Sequence, residues 1–245
     1  PYLNNPIEHG ADVVVHSVTK WIGGHGVAVG GVVIDGGNFD WLKSGRFPTL
    51  TQPYEPFHGM NFWEEFGPAA LAMRIRCESM RDIGAAMTPH NAFLLLQGLE
   101  TLNLRMQQHV SNAQAMVTWL QTQDAVAWVN HPDINAEAHT KALFPKGAGS
   151  MLTFGVKGGR DAGAAFINAL QLSSNLANVG DSRTLVLHPG STTHSRLSEH
   201  DLIAAGIGAD LIRVSVGIET LKDIQADFSL GLRAAAKILA QQAEA

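Results

Sequence analysis

Short β-branched runs set apart by helix-length segments constrain this chain more than any other feature. The first run, Ala11-Asp12-Val13-Val14-Val15-His16, follows the turn residues His9-Gly10. A continuous apolar run of that length fits a strand covered on both faces, as in parallel sheets. Val27 to Ile34 forms a second run, interrupted by Gly30-Gly31. Val126-Ala127-Trp128-Val129, Met151-Leu152-Thr153-Phe154 and Leu211 to Val216 read as further strands. Strands alternating with helices predict an α/β fold.

Helix signals fill the intervals. Thr88-Pro89 supplies a cap and a first-turn proline for a helix to about residue 107, with Leu95, Leu99, Leu102 and Met106 on one stripe. Ser111 is expected to cap a separate, shorter helix carrying Ala113, Met116, Val117 and Leu120. Asp161 opens an Ala-rich helix, and Ser198-x-x-Asp201 and Thr220-x-x-Asp223 have the spacing of capping boxes. The last helix is expected from about Leu221 to Gln242. Residues 44–68 hold Pro48, Pro53, Pro56 and Pro68 and read as a long irregular loop. A composition shift near residues 105–110 divides the chain into 1–105 and 106–245.

Composition excludes several classes. Hydrophobic residues make up 45% and charged residues 16%, so a core can form and disorder is ruled out. The net charge of −5 leaves no basic surplus for phosphates, which argues against nucleic acid. No apolar run reaches the roughly 18 residues a membrane span needs. The single cysteine, Cys77, excludes an intrachain disulfide and a CxxC metal site, and fits a reducing compartment. His188, His194 and His200 are too far apart for paired ligands on one helix, so no metal site is expected. The opening Pro1-Tyr2-Leu3-Asn4-Asn5-Pro6 has neither a basic n-region nor an apolar h-region and reads as the middle of a loop. The chain is therefore expected to be a piece of something longer.

Ser17-x-Thr19-Lys20 carries the strongest chemistry. It ends a strand, where open α/β sheets place their ligands. Two hydroxyls can donate hydrogen bonds to an anion, and a desolvated lysine can form a Schiff base with an aldehyde. An aldehyde that also bears a phosphate describes pyridoxal phosphate. A surface lysine beside turn-bonding hydroxyls accounts for the same three residues. Farther along, Arg213 is the only charged residue in a strand of Leu, Ile, Val and Ser. Alternation puts Ile212, Val214 and Val216 on one face and Leu211, Arg213 and Ser215 on the other.

In order along the chain, several segments resemble the Cys/Met-metabolism family of pyridoxal-phosphate enzymes. They are residues 9–31, Pro89-His90-Asn91, Gly98 to Met106, Leu185 to His194 and Ile212 to Glu219. Within that family, Asn178-Val179-Gly180-Asp181, the Pro-rich aromatic stretch 53–59 and residues 144–150 are most similar to the O-acetylhomoserine sulfhydrylase branch.

The resemblance implies the later part of a large cofactor domain with a mostly parallel sheet, over 1–105, then a smaller α+β domain over 106–245. It implies pyridoxal 5'-phosphate bound to Lys20, with Ser17 and Thr19 on the phosphate. Arg213 would clamp the substrate carboxylate, and Asn178 would line that site. Lys20 would also move protons at Cα and Cβ. The implied reaction replaces the acetyl ester of O-acetyl-L-homoserine by sulfide or a small thiol, giving homocysteine and acetate. Cystathionine γ-synthase, O-succinylhomoserine sulfhydrylase and methionine γ-lyase share the scaffold. A non-catalytic oligomerisation or binding module is the alternative of another class. The family pattern further implies a cytoplasmic homo-oligomer of tetrameric type. The aspartate facing the pyridine nitrogen, the ring-stacking aromatic and the residues lent by a neighbouring subunit would all lie before Lys20.

Overall fold

A computed structural model describes residues 1–244, with Glu199 described in its main chain only. The first part holds β1 (Val13–Ser17) and β2 (Gly31–Asp35), paired antiparallel with Ser17 opposite Gly31. The α/β class is as expected, while this one pair of strands runs antiparallel rather than parallel. The connection between β1 and β2 is a compact turn, with Val18 N donating to Gly30 O at 3.0 Å. That bond closes the base of the 18–30 connection, so the chain comes back beside β1 in the opposite direction. The expected burial is also absent from this ribbon. Val15 is 71% exposed and Val33 45%. A strand is buried on both faces only when a layer covers each face; residues 70–74 lie against β2, but the described residues leave a face of the ribbon open.

The proline-rich stretch is not irregular. It folds into α1 (Trp41–Ser44), α2 (Pro48–Thr51), a 3-10 turn (Glu55–Phe57) and α3 (Phe62–Phe66). Pro48, Pro56 and Pro68 each sit in the first turn of a helix, where the missing N–H costs nothing. Aromatic burial drives the compaction. Phe39, Trp41 and Phe47 cluster, and Phe62 is buried among Tyr54, Phe57 and Phe66. Arg74 ends α4 (Ala70–Arg74), with its guanidinium 3.7 Å from the Tyr54 ring centre. A π-helical stretch (Ile75–Met80) and α5 (Arg81–Ile83) follow.

Thr88 caps α6 (Pro89–Glu100), its hydroxyl accepting from Asn91 N, as its sequence position predicts. The chain breaks at Thr101 and continues as α7 (Leu102–Leu120). Ser111 lies inside α7 and starts no helix: the buried face of the helix runs past it from Leu102 to Leu120. The expected division between residues 105 and 106 falls within this continuous helix.

The remaining elements are β3 (Val126–Asn130), α8 (Ala138–Leu143), β4 (Met151–Val156), α9 (Gly159–Ala169), β5 (Ser174–Asn175), β6 (Leu185–Leu187), α10 (Glu199–Ala204), β7 (Leu211–Ser215) and α11 (Leu221–Glu244). Ser198 caps α10 by accepting from Asp201 N. The sheet order is β3-β4-β7-β6-β5, antiparallel except for β5 with β6. α7, α9 and α11 pack their apolar faces on it. Phe154, Phe166 and Phe228 meet in the centre, the first two edge to face at 5.4 Å, and all three are fully buried. Ile212, Val214 and Val216 enter this core, so Arg213 is left on the opposite face, as alternation requires. No helix among the described residues is long and apolar enough to cross a membrane.

Candidate active site

Lys20 sits in the turn that leaves β1. Its backbone is held at both ends: Lys20 N donates to Ser17 O at 3.3 Å, and Gly24 N donates to Lys20 O at 2.7 Å. Gly23 N closes the same turn on Val18 O at 2.8 Å. The turn lies so close to α6 that a Cβ at Gly98 would collide with the Gly23 carbonyl, which explains a glycine in mid-helix.

Three distant segments converge on the lysine. Its Nζ donates to Asn178 Oδ1, in the loop between β5 and β6. Arg213 Nη2 points at the Asn178 carbonyl oxygen at 3.5 Å. Among the described residues Arg213 has no carboxylate within ion-pair distance, so its fork is available to an outside acid. Trp21, next to Lys20, donates from its indole to Ser150 Oγ at 3.1 Å. Gly180 packs against the Trp21 main chain at a φ of 75°, and its N–H donates to Ser215 Oγ at 3.0 Å. Ser182 N donates to Gly24 O at 2.8 Å. The loop carrying Asn178 is thus stitched to the lysine turn and to the arginine strand. Asp181 stiffens it further: burial pushes its carboxyl up, but hydrogen bonds from Arg183 bring it below the ordinary range.

The two hydroxyls of the motif differ. Ser17 is exposed, and its side chain makes no hydrogen bond among the described residues. Thr19 Oγ1 donates to Gly30 O at 3.2 Å and accepts from Gly30 N at 2.9 Å. Its proton is already committed to the turn.

Sequence reasoning missed a polar stripe on α7. Arg105, His109 and Asn112 recur at i, i+4 and i+7, and all three are buried. Arg105 binds main-chain carbonyls beside Lys20. His109 Nδ1 donates to Val216 O at 2.6 Å, and Asn112 Nδ2 donates to Gly217 O and Glu219 O. One helix therefore touches both the lysine turn and the chain leaving the arginine strand. Burial holds the His109 imidazole below its ordinary pKa, so it stays neutral. The signal lay in three polar residues interrupting an apolar helix face at helical spacing. Other histidines serve elsewhere. His188 is buried between Ser191 Oγ and Ala209 O, and His25 is exposed. No group of residues fit to hold a metal occurs among those described.

A cavity of about 170 Å³ opens at this place, lined by Tyr2, His16, Ser17, Lys20, Trp21 and Leu102 among others. An amine oriented by an amide, an unpaired hydroxyl at the cavity wall and an unpaired guanidinium nearby fit an aldehyde, a phosphate and a carboxylate. No carboxylate lines the cavity among the described residues, so the donor set fits pyridoxal phosphate except at the pyridine nitrogen.

Comparison with known proteins bears on the same residues. The family described as Cys/Met metabolism PLP-dependent enzymes matches residues 1–233. Homocysteine synthase of Schizosaccharomyces pombe is 50% identical over 238 residues, covering 96% of this chain and 56% of that protein. O-acetyl-L-homoserine sulfhydrylase 1 of Thermus thermophilus is 44% identical over 234 residues, covering 94% and 55%. A solved structure described as an O-acetylhomoserine (thiol)-lyase of Campylobacter jejuni, carrying a pyridoxyl-lysine phosphate, superposes with a TM-score of 0.86 at 36% identity, covering 95% and 56%. The chain spans about half the length of the curated relatives it matches.

Proposed function

The chain belongs to the Cys/Met-metabolism family of pyridoxal-phosphate-dependent enzymes, and from that premise we propose that it carries part of the active site for γ-replacement on O-acetyl-L-homoserine. Sulfide would enter at Cγ as the Cγ–O bond to the acetyl ester breaks, giving homocysteine and acetate; a small thiol in its place would give the S-substituted homocysteine and acetate. The observation that carries this reading is the convergence of Lys20, Asn178 and Arg213 from three distant segments, with Asn178 bridging the lysine amine and the arginine beside the cavity that Lys20 lines.

When bound, pyridoxal phosphate supplies an electron sink for charge developing at Cα. The chain's own residues supply the rest. Lys20 anchors the cofactor and, once its amine is free, takes and returns protons at Cα and Cβ. Asn178 Oδ1 accepts a hydrogen from that amine and so orients it. Arg213 takes the substrate carboxylate in a two-pronged hydrogen bond, which sets the rotation of the amino acid and the direction of its Cα–H bond. Ser17 donates to the phosphate. Thr19 contributes mainly by holding the turn, because its proton is on Gly30. Homo-oligomerisation and a cytoplasmic setting belong to the same proposal.

Borohydride reduction of the complete protein followed by peptide mapping tests it. The pyridoxyl group is expected on the peptide containing Lys20, and Lys20→Ala should lower turnover by about a thousandfold or more. A label on another lysine refutes the anchor. Side-by-side turnover of O-acetyl-L-homoserine with sulfide and O-succinyl-L-homoserine with cysteine tests the substrate. A clear preference for the second pair moves the assignment to cystathionine γ-synthase.

A further inference from the structure

Arg105 is a buried cation, 6% exposed, and among the described residues it has no acidic partner. Every hydrogen bond it makes goes to an uncharged oxygen. Nη1 donates to Trp21 O at 2.7 Å, Nη2 to Ile22 O at 3.1 Å and to Gly98 O at 2.5 Å, and Nε to Thr101 Oγ1 at 3.2 Å. Desolvating a guanidinium without a counter-charge is costly. Water or a neutral amide could satisfy three carbonyls at less expense. What a rigid, planar fork adds is direction: two carbonyls of consecutive peptides are fixed by one group. Those peptides directly follow Lys20. Their orientation sets where the Lys20 side chain leaves the main chain.

The surroundings point the same way. Gly24 lies so close that a Cβ there would collide with the guanidinium. Gly98 O, near the C-terminal end of α6, lends the cation the partial negative charge of a helix terminus. Arg105 thus joins three things: the end of α6, the start of α7 and the two peptides after the lysine.

We propose that Arg105 is a positioning residue for Lys20, holding the turn 21–22 so that the amine meets Asn178 and the reacting atoms. The inference rests on Lys20 being the cofactor lysine. It assigns Arg105 no contact with substrate or cofactor.

The test uses the complete protein with cofactor, comparing the unsubstituted chain with Arg105→Lys and Arg105→Met. Three readouts are taken: pyridoxyl label on the Lys20 peptide after borohydride, the absorbance of the lysine-bound cofactor, and kcat against KM. Lysine keeps the charge but cannot hold two consecutive carbonyls in a plane. For Arg105→Lys we expect kcat lower by about tenfold or more, in line with misplacement of a reacting group. KM for the amino acid should stay within about twofold, because Arg213 is untouched. The lysine-bound absorbance and the label should both fall. Arg105→Met should fall further on each; should it fail to fold, Arg105→Lys decides alone. A purely structural arginine would lower the melting temperature and leave kcat, absorbance and label unchanged, and that result overturns the proposal. Absence of label on Lys20 in the unsubstituted protein overturns both this inference and the function it rests on, whereas normal label in both proteins overturns this one alone.

Discussion

The β1–β2 ribbon and the five-stranded sheet are built from the same residue types and end in opposite states. Val13, Val14, Val15, Val32, Val33 and Ile34 form the ribbon, and none of them is fully buried. Leu152, Phe154, Ile212, Val214 and Val216 in the sheet are 2% exposed or less. The difference is in the layers. α7, α9 and α11 cover the sheet, while the described residues leave a face of the ribbon open. Burial is a property of what packs on a strand, and a valine run states only that something should. The proposed chemistry sits at the seam, with Lys20 leaving the ribbon and Asn178 and Arg213 coming from the sheet side.

The largest expected effect tests that contrast. Phe154→Ala removes a ring packed against Phe166 and Phe228 and should cost about 3–5 kcal/mol of stability. Val15→Thr on the ribbon should cost less than about 0.5 kcal/mol. Urea unfolding of both variants measures the two. A loss of more than 1 kcal/mol for Val15→Thr in the complete protein would show that another layer covers the ribbon there, and the contrast would vanish.

Next is the arginine strand, which belongs to the stable sheet yet should matter little to it at position 213. Arg213→Lys keeps the charge and loses the fork. KM for the amino acid should rise by roughly 10–100-fold, the worth of one hydrogen bond to a charged group, with little change in melting temperature. A normal KM with a much lower melting temperature would make Arg213 part of the sheet's structure.

His109 joins the two regions, and its response is read in pH. Burial holds its folded pKa below the ordinary value. The unfolded chain, with a histidine pKa of about 6.5, binds the proton first as pH falls. Stability from the neutral ring is therefore complete above that value. It is lost as pH falls toward the folded pKa, by at most about 1.4 kcal/mol per pH unit. His109→Gln can still donate to Val216 O and should flatten this part of the melting-temperature curve between pH 7 and 5. An unchanged slope would place the titration on another histidine.

The smallest effect separates the two hydroxyls of the lysine motif. Ser17→Ala should weaken cofactor retention by about tenfold at unchanged stability, through one lost bond to a charged phosphate. Thr19→Val should instead cost about 1 kcal/mol of stability, because both its hydrogen bonds close on Gly30. Equal losses of cofactor in the two variants would restore Thr19 to the phosphate.

Much of this protein was legible before any fold was known. The α/β class, the strand at 211–215, the caps at Thr88 and Ser198 and the outward face of Arg213 all follow from periodicity and local hydrogen bonding, which act within a few residues. Lys20, Ser17, Thr19, Asn178 and Arg213 were named from motif and resemblance. What the chain's order could not state was which partners lie across space. The antiparallel return of β2, the commitment of Thr19 to Gly30 and the meeting of Lys20 with Asn178, separated by 158 residues, were decided by tertiary packing. So was the helical folding of the proline-rich stretch, where aromatic rings bury one another and Pro48, Pro56 and Pro68 fall in first turns. Local propensity is set by a residue and its neighbours. Burial, strand direction and the pairing of a buried cation such as Arg105 are set by whatever the rest of the chain brings against it.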